Sequence, residues 1–181
     1  MKKIIHKWFW AWDFEKEEKW FNELAAKGLH LNGVGFCRYT FEDGTPGEYV
    51  YRLEMLPSWP SHAESVQYIR FLEETGAEHV GSLMRWVYFR KKVGENGGFD
   101  LFSDIGSRIT HLNRILSLVG ILLGVNLFNS ANNLHLWLYS CTGGNLVASI
   151  LCFATSFLLG YGFFRLFSKK RELEREKVLH E

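Results

Sequence analysis

Residues 146–164 read LVASILCFATSFLLGYGFF and contain no charged side chain. This composition predicts a membrane-spanning helix, because about 20 apolar residues cross the hydrocarbon core of a bilayer. Residues 115–126, which read ILSLVGILLGVN, are also uncharged. With their flanking residues they predict an earlier span between about His111 and Ala131. We therefore expect a two-helix transmembrane hairpin over residues 111–167, followed by a charged tail over residues 168–181.

Basic residues lie at the outer ends of both predicted spans. Arg108 and Arg114 precede the first span, and five Lys or Arg residues follow the second, within residues 169–177. The intervening residues 129–145 contain no Lys or Arg, and their aromatic residues predict a loop in the headgroup region. Because cytoplasmic loops are enriched in Lys and Arg, we expect a multi-pass protein of the cell membrane with both termini in the cytoplasm.

Small and polar residues of the first span indicate how it packs. Gly120 and Gly124 form a GxxxG pattern, which lets two helix backbones approach closely, and Asn126 could form a hydrogen bond across helices. The partner is either the second span of the same chain, which we favour, or a helix of another subunit. Neither span contains Asp, Glu or Lys, so the sequence offers no machinery for a proton relay.

The first 93 residues mix charged and aromatic side chains and predict a separate cytosolic domain. Apolar runs bounded by turn residues predict strands at residues 4–12, 31–41, 48–56 and 78–93. Helices are predicted from the N-cap Asp13 to Lys27, and from a capping box at Ser61 to Gly76.

The order strand, helix, strand, strand, helix, strand is that of the ferredoxin-like βαββαβ fold, in the α+β class. Its two helices pack on one face of a four-stranded antiparallel sheet, and the second and third strands in chain order form a hairpin. Residues 94–110 would form a linker and an amphipathic juxtamembrane helix.

Strand alternation assigns the faces of this sheet. Tyr39, Phe41, Tyr51 and Leu53 would point toward the helices. The open face would then bind a ligand or partner through five residues: Arg38, Arg52, Glu54, Arg85 and Phe89. The simpler interpretation, which we favour, is that these residues form cross-strand ion pairs and packing contacts. For the first strand, alternation does not decide which face carries the indoles of Trp8, Trp10 and Trp12.

No pattern in the chain indicates chemistry. The seven histidines are scattered, and the three cysteines form neither a CxxC motif nor a Cys/His cluster. There is no glycine-rich phosphate loop. We therefore predict no catalytic residue, no metal site and no cofactor, and we do not expect an enzyme. The formal net charge of +1 gives no basic excess for nucleic acid.

Several short segments of the chain form a recognisable set: EEKWFN at residues 17–22, AKG at 26–28, YRLE at 51–54, WVYFRK at 86–91 and LFSD at 101–104. Together they resemble an uncharacterised bacterial family known as domain of unknown function 2812. The resemblance covers about the first hundred residues and implies that membrane spans follow. It also implies a sensing or regulatory setting, since such proteins are thought to accompany PadR-type transcription regulators. It implies no reaction.

Two functional hypotheses follow. In the first, the chain is a membrane-anchored sensory or regulatory module whose cytosolic domain binds a ligand or a protein partner. In the second, it forms an oligomeric membrane assembly with a channel or transport role. The lipid bilayer is the expected partner in both, a homo-oligomer is expected, and no nucleic acid is.

Overall fold

The computed structural model describes residues 2–94, 99–102 and 104–180. It divides into two compact units, Met1–Ser107 and Arg108–Glu181. We call the first the α/β unit. Its helices and strands, in chain order, are β1 (Lys2–His6), α1 (Phe14–Ala25), β2 (Leu29–Gly35), β3 (Arg38–Asp43), β4 (Tyr49–Met55), α2 (Ala63–Glu74), β5 (Ala77–Leu83) and β6 (Trp86–Lys92). Two long helices follow, α3 (Ile105–Ser140) and α4 (Gly143–His180).

The strands of the α/β unit form two antiparallel sheets. Sheet 1 has the order β1-β3-β2, and sheet 2 has the order β4-β6-β5. The sheets approach each other at β2 and β5, where a methyl group placed on Gly81 would lie 3.7 Å from the backbone nitrogen of Val34. The predicted α+β class is therefore confirmed for this part of the chain.

Helix α1 lies between the two sheets and supplies the centre of the larger core. Phe21 and Ala25 are fully buried there with five residues of sheets 1 and 2 that point inward, namely Leu31, Tyr39, Phe41, Tyr51 and Leu53. Helix α2 covers the opposite face of sheet 2, where Leu72 packs on Val87 and Phe89. Sheet 2 is thus enclosed on both faces by helices.

The α/β unit consists of two halves with the same order, strand, helix, strand, strand. Helix α1 is followed by Gly28 and α2 by Gly76, both with positive φ, before the next strand begins. The strands that follow, β2 and β5, have a register shift at equivalent positions in their pairing with β3 and β6. The shift lies between Leu31 and Gly33 in β2 and between His79 and Gly81 in β5. A shared irregularity of this kind indicates one structural unit used twice, because bulges are specific features of a strand pair.

The predicted ferredoxin-like order is not confirmed, because the structure has two three-stranded sheets in place of one four-stranded sheet. Residues 31–41 and 78–93, each predicted as one strand, are instead two hairpins that turn at Cys37 and Met84. The predicted hairpin between β3 and β4 is also wrong. β3 pairs with β1 and β2, whereas β4 pairs with β6.

Three predicted boundaries also change. β1 ends at His6, because its partner β3 begins at Arg38, directly opposite His6. α2 begins at Ala63 after His62, so Ser61 is not its N-cap. The predicted interfacial loop of residues 129–145 is largely helical, since α3 continues to Ser140 and α4 begins at Gly143.

The segment before α3 differs from the predicted juxtamembrane helix. The predicted linker at residues 95–98 lies outside the described residues. Phe99 and Leu101 are not helical, and they pack against the core formed by α2 and sheet 2. α3 begins at Ile105.

Two side chains of α1 close the free edge of β4. The backbone N–H of Tyr51 donates to Asn22 Oδ1 at 2.8 Å, and Asn22 Nδ2 donates to the carbonyl oxygen of Tyr51 at 3.2 Å. One turn earlier, Glu18 Oε2 accepts from the backbone N–H of Leu53 at 3.1 Å. α1 therefore satisfies the backbone groups that a further strand would otherwise pair.

Replacing Asn22 with Ala removes both hydrogen bonds to Tyr51, so we expect the free energy of unfolding to fall by about 1–2 kcal/mol. Glu23→Ala, at an exposed position of the same helix, is the control and should change it by less than about 0.5 kcal/mol. Tryptophan fluorescence during urea unfolding in detergent measures both variants. Equal effects would contradict the role assigned to Asn22.

Candidate functional site

The structure does not bring the five residues of the predicted open face together. Arg38 is exposed on sheet 1, whereas the other four belong to sheet 2 or to its turns. Arg52 contacts Glu18 at 3.2 Å. The remaining three form hydrogen bonds within the α/β unit or are buried in its core.

Those three residues have the following surroundings. Glu54 is 5% exposed and accepts a hydrogen bond from the Tyr68 hydroxyl at 2.6 Å. Arg85 lies in the turn after β5 and donates two hydrogen bonds to the carbonyl oxygen of Leu56, at 2.9 and 2.6 Å. Phe89 is fully buried in the core under α2. An open binding face made of these residues is therefore not formed.

The most unusual polar group of the α/β unit is the carboxylate of Glu17 on α1. Only 7% of Glu17 is exposed. Its Oε1 atom accepts a hydrogen bond from the Tyr39 hydroxyl of β3 at 2.7 Å and another from the Tyr88 hydroxyl of β6 at 3.1 Å. Because Tyr39 belongs to sheet 1 and Tyr88 to sheet 2, one oxygen atom joins the helix to both sheets. We call these three residues the Glu17 cluster.

Burial dominates the electrostatics of this cluster. Loss of water raises the pKa of Glu17 above its ordinary value of 4.5, and the two tyrosine hydroxyls only partly oppose that effect. The pKa values of Tyr39 and Tyr88 are raised as well, first by burial and then by the nearby carboxylate. Both tyrosines therefore remain protonated donors.

The sequence contained a signal for this cluster. The acidic run at residues 15–23, interrupted by lysines, is typical of a solvated helix face. Glu17, however, lies three residues after Phe14 and four before Phe21, which are both buried. The helical period alone therefore places it on the buried stripe.

An aromatic surface lies at the end of sheet 1 where β3 begins. Trp8, Trp10 and Phe36 are 51%, 38% and 73% exposed, and we call these three residues the aromatic surface. Trp8 contacts the edges of both other rings, with centroids 5.1 Å from Trp10 and 5.7 Å from Phe36. Trp10 stacks at 5.0 Å on Trp12, which is buried. The three indoles of Trp8, Trp10 and Trp12 thus follow β1 instead of belonging to a sheet face.

The predicted packing residues of α3 lie along its length. Gly120 faces α4, since a methyl group placed there would lie 3.3 Å from the ring of Phe163, whereas a methyl group on Gly124 would meet nothing within 4 Å. Asn126 Oδ1 accepts a hydrogen bond from the Thr155 hydroxyl at 3.0 Å. Gly120 and Asn126 therefore contact α4 of the same chain.

The two helices are also joined nearer their connection. The Ser130 hydroxyl donates to the carbonyl oxygen of Ser149 at 3.0 Å, and the Ser149 hydroxyl donates to the carbonyl oxygen of Ser130 at 2.9 Å. Both residues are buried. Together with the contacts at Gly120 and Asn126, this pair indicates an antiparallel arrangement of α3 and α4.

Among residues 2–94, 99–102 and 104–180, no group of three or more His, Cys, Asp or Glu side chains is arranged to hold a metal ion. The carboxylates of Glu17, Glu18 and Glu54 and the amide of Asn22 form hydrogen bonds between helices and sheets.

Residues 13–124 match the family described as proteins of unknown function, DUF2812. The chain belongs to this family. The DUF2812 match begins just before α1 and ends within α3, so it includes the Glu17 cluster and the segment that leads into the first long helix. No curated protein and no solved structure matches the chain.

The raised pKa of Glu17 predicts that the free energy of unfolding depends on pH. The folded state holds the proton of Glu17 more tightly than the unfolded state, so this residue favours folding most at low pH. Its contribution is lost as pH rises from about 4.5 through the higher pKa of the folded state. The variant Glu17→Gln keeps an oxygen acceptor for both tyrosines and has no charge. We therefore expect wild type to lose stability relative to this variant as pH rises.

Urea unfolding at a series of pH values between 4 and 8 measures this difference, with Glu23→Gln on the exposed face of α1 as the control. The control should show the same pH dependence as wild type. A constant difference between wild type and Glu17→Gln across the series would contradict the burial of a titrating carboxylate.

Proposed function

We propose that this member of the DUF2812 family is a membrane-anchored regulatory module. In this proposal α3 and α4 cross the cell membrane, both termini lie in the cytoplasm, and the α/β unit binds a ligand or a protein partner. Binding would then alter the helix pair. The proposal assigns no reaction to the chain.

The lengths and compositions of α3 and α4 support the anchoring. Both helices are long and apolar enough to cross a bilayer. At 1.5 Å per residue, the 36 residues of α3 extend about 54 Å, which exceeds a hydrocarbon core of about 30 Å. Each helix can therefore span the core and continue beyond it. Arg108 and Arg114 on α3, and the basic residues after Arg165 on α4, favour a cytoplasmic location for those ends.

The packing of Phe99 and Leu101 is the observation that carries the regulatory part of the proposal. Both side chains lie against the core between α2 and sheet 2, and α3 begins at Ile105, four residues after Leu101. In this proposal a change in the packing of α2 on sheet 2 displaces Leu101, and the displacement reaches the first turn of α3 through the short stretch of chain that follows.

A ligand screen on the full-length chain in lipid nanodiscs tests this function. Compounds and purified candidate proteins are scored by the rise in the unfolding midpoint of wild type, which mass action predicts for any binder of the folded state. We expect a binder to change amide hydrogen exchange in the first turns of α3 as well. In Leu101→Ala the binder should still raise the midpoint, but the response of α3 should be lost.

Val93→Ala is the matched control, because Val93 is an exposed apolar residue of the same connecting region. It should keep both responses. The proposal is wrong if no binder raises the midpoint of wild type, or if α3 responds equally in Leu101→Ala.

Gly124 supports a second candidate, an oligomeric membrane assembly with a channel or transport role. Gly124 lies one turn after Gly120 and faces open space, so the α3–α4 pair leaves a small-residue position uncovered. Small residues of this kind allow close approach of another membrane helix. A second copy of the chain could pack there.

Two glycine variants separate packing within the chain from packing between chains. Gly120→Ile should lower the thermal stability of the helix pair in detergent, because its side chain would meet Phe163. Gly124→Ile should leave that stability unchanged in a monomer but dissociate an oligomer. Native mass measurement in detergent reads the number of chains. A monomeric wild type would exclude the assembly.

A further inference from the structure

The aromatic surface has no covering partner within the described part of the α/β unit, yet it is held in a fixed arrangement. Trp10 is stacked on the buried Trp12, and Trp8 is fixed between Trp10 and Phe36 by edge contacts. The backbone N–H of Lys7 also donates to the carbonyl oxygen of Cys37 at 3.3 Å, which joins the segment after β1 to the turn that carries Phe36. Large apolar groups that are exposed and preorganised usually mark an interaction site.

Two basic side chains, those of Lys7 and Arg38, lie at this end of sheet 1, whereas Lys2 and Lys3 lie at the other end of β1. Lys7 is exposed, with its Nζ atom over the rings of Phe9 and Trp20 at 4.9 and 4.5 Å. Arg38 is exposed at the start of β3, opposite His6.

The acidic residues of β3 lie away from these basic groups. Glu42 and Asp43 are at the other end of the strand, where Glu42 lies opposite Lys2. Lys7 and Arg38 therefore lie at the aromatic end of sheet 1 with no acidic residue of β1 or β3 beside them, and their charge is complementary to an anionic surface.

We propose that the aromatic surface formed by Trp8, Trp10 and Phe36 docks on the anionic headgroup region of the bilayer. Tryptophan is enriched at membrane interfaces, because its ring is apolar while its N–H can still reach water. Lysine and arginine beside it are attracted to anionic lipids of the cytoplasmic leaflet. The inference rests on the membrane anchoring proposed above.

The connection to α3 favours the bilayer over a soluble partner. Leu101 packs against the core formed by α2 and sheet 2, and α3 begins at Ile105. If α3 enters the membrane, chain connectivity alone raises the effective concentration of lipid headgroups for the α/β unit. Even a low intrinsic affinity for lipid headgroups is then sufficient to keep the aromatic surface bound.

The test places an environment-sensitive fluorophore at position 36 in the full-length chain. Phe36→Cys is labelled in a background with Cys37→Ser, Cys141→Ser and Cys152→Ser, and is reconstituted in nanodiscs of anionic or zwitterionic lipid. Met84→Cys is the matched control, because Met84 is 66% exposed at the equivalent turn of the second half and lies outside the aromatic surface. Both replaced side chains are exposed, so neither variant removes core packing.

We expect the label at position 36 to shift its emission to the blue in anionic nanodiscs and to be quenched by brominated lipids. Both effects should decrease in zwitterionic nanodiscs and at high salt, whereas the label at position 84 should behave as in water. A label at position 36 that stays in an aqueous environment would overturn the inference. So would a label that is shielded from water without quenching by lipid, which would indicate contact with a second copy of the chain.

The anchoring itself is tested separately, since a chain that stays soluble without detergent would refute it whatever the label reports. A chain that enters nanodiscs while position 36 remains in water would refute only the docking of the aromatic surface.

Discussion

The carboxylate of Glu17 holds three layers of the α/β unit together. It accepts hydrogen bonds from Tyr39 on sheet 1 and Tyr88 on sheet 2, and it is itself carried by the helix between them. A buried carboxylate is costly unless it has donors, so α1 can occupy this place only while both sheets present their tyrosines. This dependence fixes the position of α1, and α1 in turn closes the edge of β4 through Glu18 and Asn22.

The two halves of the α/β unit show why this cluster occurs once. When Gly28 is aligned with Gly76, the position of Glu17 in α1 corresponds to Ser65 in α2. Both residues are buried, but α1 lies between two sheets, whereas α2 covers sheet 2 alone. The larger polar group is found where there are two sheets to join. In the second half, Leu101 packs against the core formed by α2 and sheet 2, four residues before α3 begins.

The sequence predicted the parts of the structure that depend on strong local patterns. These were helices α1 and α2, the apolar membrane-length segments and the inward direction of Tyr39 and Tyr51. It failed where tertiary pairing overrides the local pattern. Cys37 and Met84 adopt positive φ in tight turns that usually contain glycine or asparagine, so the sequence pattern predicts single strands where the structure has two hairpins. The predicted binding face failed with the sheet order, because a residue such as Phe89 is open or buried according to which helix covers its strand.

The regulatory proposal and the docking of the aromatic surface both require the α/β unit to respond as one body, and Glu17 is the group that makes it so. Native-state hydrogen exchange on Tyr39→Phe, in the full-length chain, tests this most directly. Loss of one donor on sheet 1 leaves the buried carboxylate underpaired, so the account predicts that amide protection falls together in β3 and β6. Reduced protection in β3 with unchanged protection in β6 would contradict it.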